Sequence, residues 1–487
     1  MIRDWISAAA SRHGDDVYLA DARGSATLTY AGLRAALRAT ERRLDEAGLP
    51  PGSRIALKIA DPLDYATALV SIVAAGRVAV PLDPGAPDAD ITRVLGVARP
   101  AAMITTWHRA AAVSEGLDRG AEATGPFWII ELGFSGATRA AGGGIFLSTS
   151  GTTGTPKGIL LSDTQLAHVA SSVVDSHRLT RADRGYCSLP LFHVNAEVVG
   201  VLATLRAGAY LAVDRKFSRR GFWEMIAGRR ITWINAVPAI ISILAMDPPA
   251  PRPSRLRFVR SASAPLPLAA LERFESALGV PVVETYGMTE AASMITANPV
   301  EGPRKPGSAG RAAGAEVRIG AGLDASGGPD DVGRVQIRGA GVITAYDSGG
   351  KPGAIDADGW LDTGDLGYLD ADGYLFLVGR SDDVINRGGE KIYPREIEEI
   401  LLAQPGVRSA AVVGAPDEVL GERPVAYVVP ASEAALADVE ATLRAACTAL
   451  LPRHKQPSEF CLVGEMPLGT NGKISRRLLK DLVTARP

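Results

Sequence analysis

Between Tyr30 and Thr105 the chain alternates apolar runs of helical period with short runs of β character, and that alternation limits the possible folds more than any other feature. Leu33, Leu37 and Leu44 recur at helical spacing up to a stop at Gly48, and Arg54–Ile59 then reads as a strand. A helical run over 63–75 leads into Val78-Ala79-Val80-Pro81-Leu82, and another over 87–97 leads into Ala102-Met103-Ile104-Thr105. Strands separated by helices of this length pair in parallel and are covered by helices on both faces. The expected class is therefore α/β, with doubly wound, mostly parallel sheets in a large N-terminal domain.

The pattern changes twice further along. From about residue 302 to 379 the chain is rich in Gly and Asp and has short β runs, such as Glu316-Val317-Arg318-Ile319 and Gly333-Arg334-Val335-Gln336-Ile337, with almost no helical period. A small antiparallel β subdomain is expected there. After Gly379-Arg380 the pattern resets: helices over 395–402 and 433–450, and strands over 410–413, 425–429 and 459–463. These describe a small α+β domain over 381–487, of the usual size for an independent unit. The expected division is 1–380 and 381–487.

Composition narrows the function. The 487 residues carry 52 Lys plus Arg against 54 Asp plus Glu, so no net basic field exists to hold nucleic acid or an anionic membrane. A small-molecule substrate fits better. Cys187, Cys447 and Cys461 are far apart and lack metal-ligand spacing, so they read as free packing thiols in a reducing compartment. Met1-Ile2-Arg3-Asp4-Trp5 is not followed by the apolar run of a signal peptide. No apolar stretch approaches the roughly 20 residues needed to cross a bilayer. A cytoplasmic protein without a membrane span is expected.

The run Thr149-Ser150-Gly151-Thr152-Thr153-Gly154-Thr155-Pro156-Lys157-Gly158 combines glycines, five hydroxyl residues and one lysine. Exposed amides, hydroxyls and an ammonium suit the oxygens of a polyphosphate. Lys157 is followed by Gly158 and not by Ser or Thr, so this is not the Walker pattern. The run resembles the signature loop of the adenylate-forming superfamily: acyl-CoA synthetases, adenylation domains of nonribosomal peptide synthetases and beetle luciferases. Leu28-Thr29-Tyr30-Ala31-Gly32-Leu33 and Ala79-Val80-Pro81-Leu82-Asp83-Pro84 are similar to earlier motifs of that family, and the resemblance extends over nearly the whole chain.

The resemblance implies ATP, Mg²⁺ and a mechanism through an acyl-adenylate. In Glu284-Thr285-Tyr286-Gly287-Met288-Thr289-Glu290 it implies that Tyr286 packs on adenine, Thr289 meets the α-phosphate and Glu290 holds Mg²⁺. Ser263, Ala264 and Pro265 would border the nucleotide. Asp365 would accept from the ribose hydroxyls with Arg380 in support, and Asp382 would be the hinge of a mobile C-terminal lid. Lys473 would enter the site for adenylation. Gly388, Gly389 and Lys391 would approach it afterwards, leaving room for the pantetheine arm of coenzyme A.

The segment Leu189-Pro190-Leu191-Phe192-His193-Val194-Asn195-Ala196 resembles the one that carries an aromatic gate beside the acyl group, which makes His193 the gate. Asn195, Val198, Asn235, Ser261 and Gly287 are further candidates for the acyl pocket. No Asp stands where amino-acid adenylation domains hold an ammonium group, and the apolar neighbours favour an aryl or aliphatic acid. Glu197 reads as an outward helix position. Glu284 to Ser308 also resembles oxalate- and malonate-type ligases, so Arg260 or Arg304 facing a second carboxylate remains open. The leading expectation is an AMP-forming acid–CoA ligase. The alternative is a stand-alone adenylation enzyme that passes its acyl group to a carrier protein or an amine.

Overall fold

The computed structural model describes residues 1–107, 127–132, 134, 142–150, 156–249, 253–322, 332–350, 352–431, 436–468 and 474–484. Local sequence sets the helix starts. Thr29 caps Tyr30–Glu46 by accepting from the Gly32 amide, and Asp61 caps Pro62–Ala74 by accepting from Leu63 and Asp64. Ser162 and Gln165 form a reciprocal capping box at the start of Asp163–Ser176. The helices expected at 63–75 and 87–97 are found at Pro62–Ala74 and Asp88–Ala98, within a residue at each end.

Among the described residues the strands form four sheets. In the first, strands 282–286, 258–261, 233–236, 184–187, 210–213 and 17–21 pair in parallel, with antiparallel strands at both edges. In the second, 102–107, 54–57, 78–81 and 144–150 are parallel, flanked by antiparallel 127–131 and 156–162. The helix Pro62–Ala74 touches strands of both sheets, and its residues from Tyr65 to Ala74 are all buried. A helix apolar all round is stable only when covered on every side, which explains that run.

The third sheet is antiparallel, in the order 316–322, 333–338, 361–369 and 375–380, where a β subdomain was expected. The fourth collects 385–387, 390–392, 407–417, 421–430 and 459–462. It is packed by the helices Pro394–Leu402, Leu436–Leu450 and Arg476–Thr484, with apolar clusters of its own. No described helix is long and apolar enough to cross a membrane.

Candidate active site

Parallel strands of the first sheet all end at one edge, and the loops leaving Cys187, Ser261 and Tyr286 carry the motifs singled out above. Ligands of open α/β sheets bind at this carboxyl edge. Gly287 follows Tyr286, and a Cβ there would lie 1.3 Å from the Ser293 carbonyl oxygen, so only glycine fits. Beyond it the chain closes a short helical turn, Thr289–Ala291, with Ala292 and Ser293 at positive φ. Strained backbone of this kind persists only where the surroundings fix it. The turn holds Thr289 at its start and buries Glu290 to 8% exposure.

Glu290 Oε1 accepts from the Tyr346 hydroxyl at 3.1 Å, and no described cation pairs with this carboxylate. Among the described residues no group of three acidic, His or Cys side chains gathers to cage a metal. Mg²⁺ is usually held by one or two carboxylates together with phosphate oxygens and water. A single, cation-free carboxylate therefore fits a Mg²⁺ that arrives with ATP.

The phosphate run occupies a hairpin in which 144–150 pairs with 156–162 and Thr149 stands opposite Lys157. Gly151, Thr152, Thr153 and Gly154 lie outside the described residues, as do the side chains of Thr149 and Ser150. The Lys157 ammonium sits 5.1 Å from the centre of the Tyr346 ring. Gly158 exchanges backbone hydrogen bonds with Asp347 and Ser348, and a Cβ on it would meet Ser348 Oγ at 2.5 Å.

Tyr286 donates to Asp365 Oδ2 at 2.5 Å, and Arg380 pairs with Asp365 Oδ1 at 3.0 Å. Three residues expected around adenine and ribose thus meet directly. Burial and the Asp365 charge hold the Tyr286 hydroxyl far above its ordinary pKa, so it stays a donor. Thr285 faces inward and donates to the Ser261 carbonyl at 3.0 Å, and Met288 packs against the core. The Glu284 carboxyl accepts from the Gly307 amide, and burial pushes its pKa up to about 7, opposed by that amide and by Arg395. Ser263, Ala264 and Pro265 are exposed at the same edge, with Ser263 at φ 74°.

Asn195 and Asn235 converge on Arg260, a contact absent from the sequence reading. Arg260 Nη1 donates to Asn195 Oδ1 at 2.8 Å and to Asn235 Oδ1 at 3.0 Å, while Nε has no partner. The side chain is 1% exposed, and burial lowers its pKa to about 9. Asn195 also donates to Ser263 Oγ, so the cluster runs from the interior to the exposed loop. Arg304, the other candidate for a second carboxylate, lies beside Glu275. The helical segment Asn195–Leu202 has the wide π register, with His193 exposed just ahead of it and Val198 and Ser261 buried.

Glu197 departs from expectation. Instead of facing outward it is fully buried, accepting from Tyr65 at 2.9 Å with its other oxygen unpaired, and burial raises its pKa to about 8. The π register and the buried stretch from Tyr65 to Ala74 of the neighbouring helix turn this position inward.

In the C-terminal part, Gly388 and Gly389 form the exposed tip of the hairpin that carries Lys391, and both have positive φ. Asp382 is exposed in the turn Ser381–Asp383. Lys473 lies outside the described residues. Three residues after it in the sequence, Arg476 binds Glu398 at 2.6 Å and Asp383, the residue after Asp382, at 3.2 Å.

Known proteins share this architecture. A family model for AMP-binding enzymes matches residues 6–132 and 145–347, and the model for their C-terminal domain matches 396–473. A sulfoacetate–CoA ligase of Cupriavidus necator is 38% identical over 97% of this chain and 96% of its own. An oxalate–CoA ligase of Arabidopsis thaliana is 33% identical, with 95% of each chain covered. The o-succinylbenzoate coenzyme A synthetase of Bacillus subtilis, solved with ATP and magnesium, superposes with a TM-score of 0.80 at 26% identity over 99% of both chains. With motifs, sheets and full-length relatives in agreement, the chain belongs to the AMP-binding enzyme family, among its ATP-dependent, AMP-forming acid–CoA ligases.

Proposed function

We propose that the acid activated by this ligase is small and carries a second anionic group, which Arg260 receives. One observation carries the reading: among the described residues a guanidinium 1% exposed is held by two neutral amide oxygens, with one N–H unpaired and no carboxylate bonded to it. A buried cation without a counter-charge costs several kcal/mol, and an anionic group on the substrate removes much of that cost. The ligases named for sulfoacetate and oxalate act on acids of this kind, which agrees. This narrows the acid from the broader aryl or aliphatic class.

The roles follow the charge that develops. The acid's carboxylate is already a nucleophile at neutral pH, so its attack on the α-phosphorus needs positioning and charge stabilisation more than proton transfer. Lys157 with its loop holds the polyphosphate, Thr289 the α-phosphate, and Asp365 with Arg380 the ribose. Glu290 holds Mg²⁺, which supplies neutralisation of the departing pyrophosphate. Lys473 bridges carboxylate and α-phosphate in the first step. The domain that begins after Arg380 then turns about Asp382, bringing Gly388, Gly389 and Lys391 to the site as the CoA thiol attacks the acyl carbonyl and AMP leaves.

The test is a substrate panel with purified protein, ATP, Mg²⁺ and CoA, read by pyrophosphate release and mass spectrometry. Sulfoacetate, oxalate, malonate and succinate are expected to exceed acetate, propionate and benzoate by roughly a hundredfold in kcat/KM, the scale of one buried charge pair. Equal turnover of the monoacids would refute the anionic subsite. AMP without acyl-CoA would move the acceptor to a carrier protein or an amine.

A further inference from the structure

Lys157 and Glu290 approach from different elements, the phosphate hairpin and the turn after the 282–286 strand, yet one side chain touches both. The Tyr346 ring lies under the Lys157 ammonium at 5.1 Å, and the Tyr346 hydroxyl donates to Glu290 Oε1 at 3.1 Å. No described ion pair joins Lys157 and Glu290. Tyr346 is itself fixed from both sides. The Ile343 amide donates to the Glu290 carbonyl at 2.9 Å, and the Asp347 amide donates to the Gly158 carbonyl at 2.9 Å. Asp347 is anchored by Arg54 at 2.6 Å, and Arg54 packs on Phe146 of the hairpin. Gly350 makes room for the ring, because a Cβ there would lie 2.4 Å from it.

We propose that Tyr346 is a positioning residue for the nucleotide–metal complex: its hydroxyl aims the Glu290 carboxylate at Mg²⁺ and its ring holds the Lys157 ammonium toward the polyphosphate. Without that spacer a lysine and a carboxylate at one site would pair with each other, and each would be withdrawn from its ligand. The hydroxyl leaves Glu290 Oε2 free for the metal. It also polarises the carboxylate without adding a positive charge that would repel the metal. The ring gives Lys157 a cation–π platform that fixes its direction while leaving its three N–H donors free.

The inference rests on the metal and phosphate roles given above to Glu290 and Lys157, and the controls separate the two. Mn²⁺ is titrated by electron paramagnetic resonance into the full-length protein carrying α,β-methylene ATP, and AMP affinity is measured without metal. Glu290→Gln tests the underlying reading: unchanged Mn²⁺ affinity would overturn the metal role itself. Tyr346→Phe, which keeps the ring, is expected to weaken Mn²⁺ binding roughly tenfold, the scale of one charge-assisted hydrogen bond, and to leave AMP affinity unchanged. Tyr346→Leu is expected to lose, in addition, about two- to fivefold in metal-free affinity for α,β-methylene ATP, the scale of one cation–π contact. Wild-type Mn²⁺ affinity in Tyr346→Phe alongside a weakened Glu290→Gln, or equal losses of Mn²⁺ and AMP binding, would overturn the positioning role.

Discussion

Replacing Arg260 with methionine separates an anion receptor from a structural cation, because the two readings predict opposite balances between stability and selectivity. The substitution removes two hydrogen bonds, to Asn195 and Asn235. Asn235 Oδ1, left unpaired in the interior, costs about 1–3 kcal/mol, whereas Asn195 Oδ1 keeps the Asn235 amide as donor at 3.3 Å. Against this, replacing a buried charge by an apolar side chain of similar volume can return about 1–4 kcal/mol. The direction of the Arg260 pKa supports that return: a base whose pKa falls on folding is destabilising wherever it is protonated, which here includes pH 7. The two effects nearly cancel, so the melting temperature should stay within a few degrees of wild type. Selectivity should change far more. Losing one partner of a buried charge pair with the substrate costs about 2–4 kcal/mol, or roughly 30- to 900-fold in kcat/KM. That loss should fall on dianionic acids alone, with monoacids of similar length unaffected or improved. The assay is pyrophosphate release with paired acids, alongside a thermal melt. A uniform loss across all acids, or a melting temperature lower by more than about 10 °C, would show that Arg260 holds the fold together and reads no substrate.

The remaining predictions are narrower. Glu197→Gln should be nearly neutral in stability at about pH 4, where the carboxyl is protonated in the folded state and largely so in the unfolded one, and increasingly stabilising above it. Because folding raises this pKa from 4.5 to about 8, the wild type loses stability as pH climbs through that window, and the variant should lack that slope in denaturant titrations at pH 5 to 9. Gly287→Ala should abolish adenylation by at least about 10²-fold, since the new Cβ would lie 1.3 Å from Ser293 O, and a variant with normal turnover would contradict the tight turn. Lys473→Ala should reduce acyl-AMP formation roughly 10²–10³-fold but leave thioester formation from supplied acyl-AMP largely intact. Equal loss in both half-reactions would refute the assignment of Lys473 to the first step alone.

How much of this was legible in one dimension depends on how local each feature is. Helix and strand periods, the caps at Thr29, Asp61 and Ser162, and the order of motifs are properties of short segments, because propensity and capping act within a few residues. The strand–helix alternation therefore led directly to the parallel sheets, whereas the hairpin that bears Lys157 was not among the expectations. Glu197 was misread because a continuous apolar run has no polar face to mark its outside, and the π register shifts which side turns inward. Tyr346 carried no local mark, since its partners come from the phosphate hairpin and from the turn at Glu290, 56 residues earlier.

The sequence by itself determined the fold class and the ATP-linked chemistry, and it named candidate site residues. Only the tertiary structure decided which of those residues meet. Arg260 finds its partners 25 and 65 residues away because strands 233–236 and 258–261 pair in parallel, with Asn235 opposite Arg260, while the π-helical segment lays Asn195 over them. Side chains on neighbouring strands share a face only once register is set, and register depends on packing over the whole sheet. That is why Arg260, one of two arginines the chain offered for a second carboxylate, becomes a buried cation between two amide oxygens.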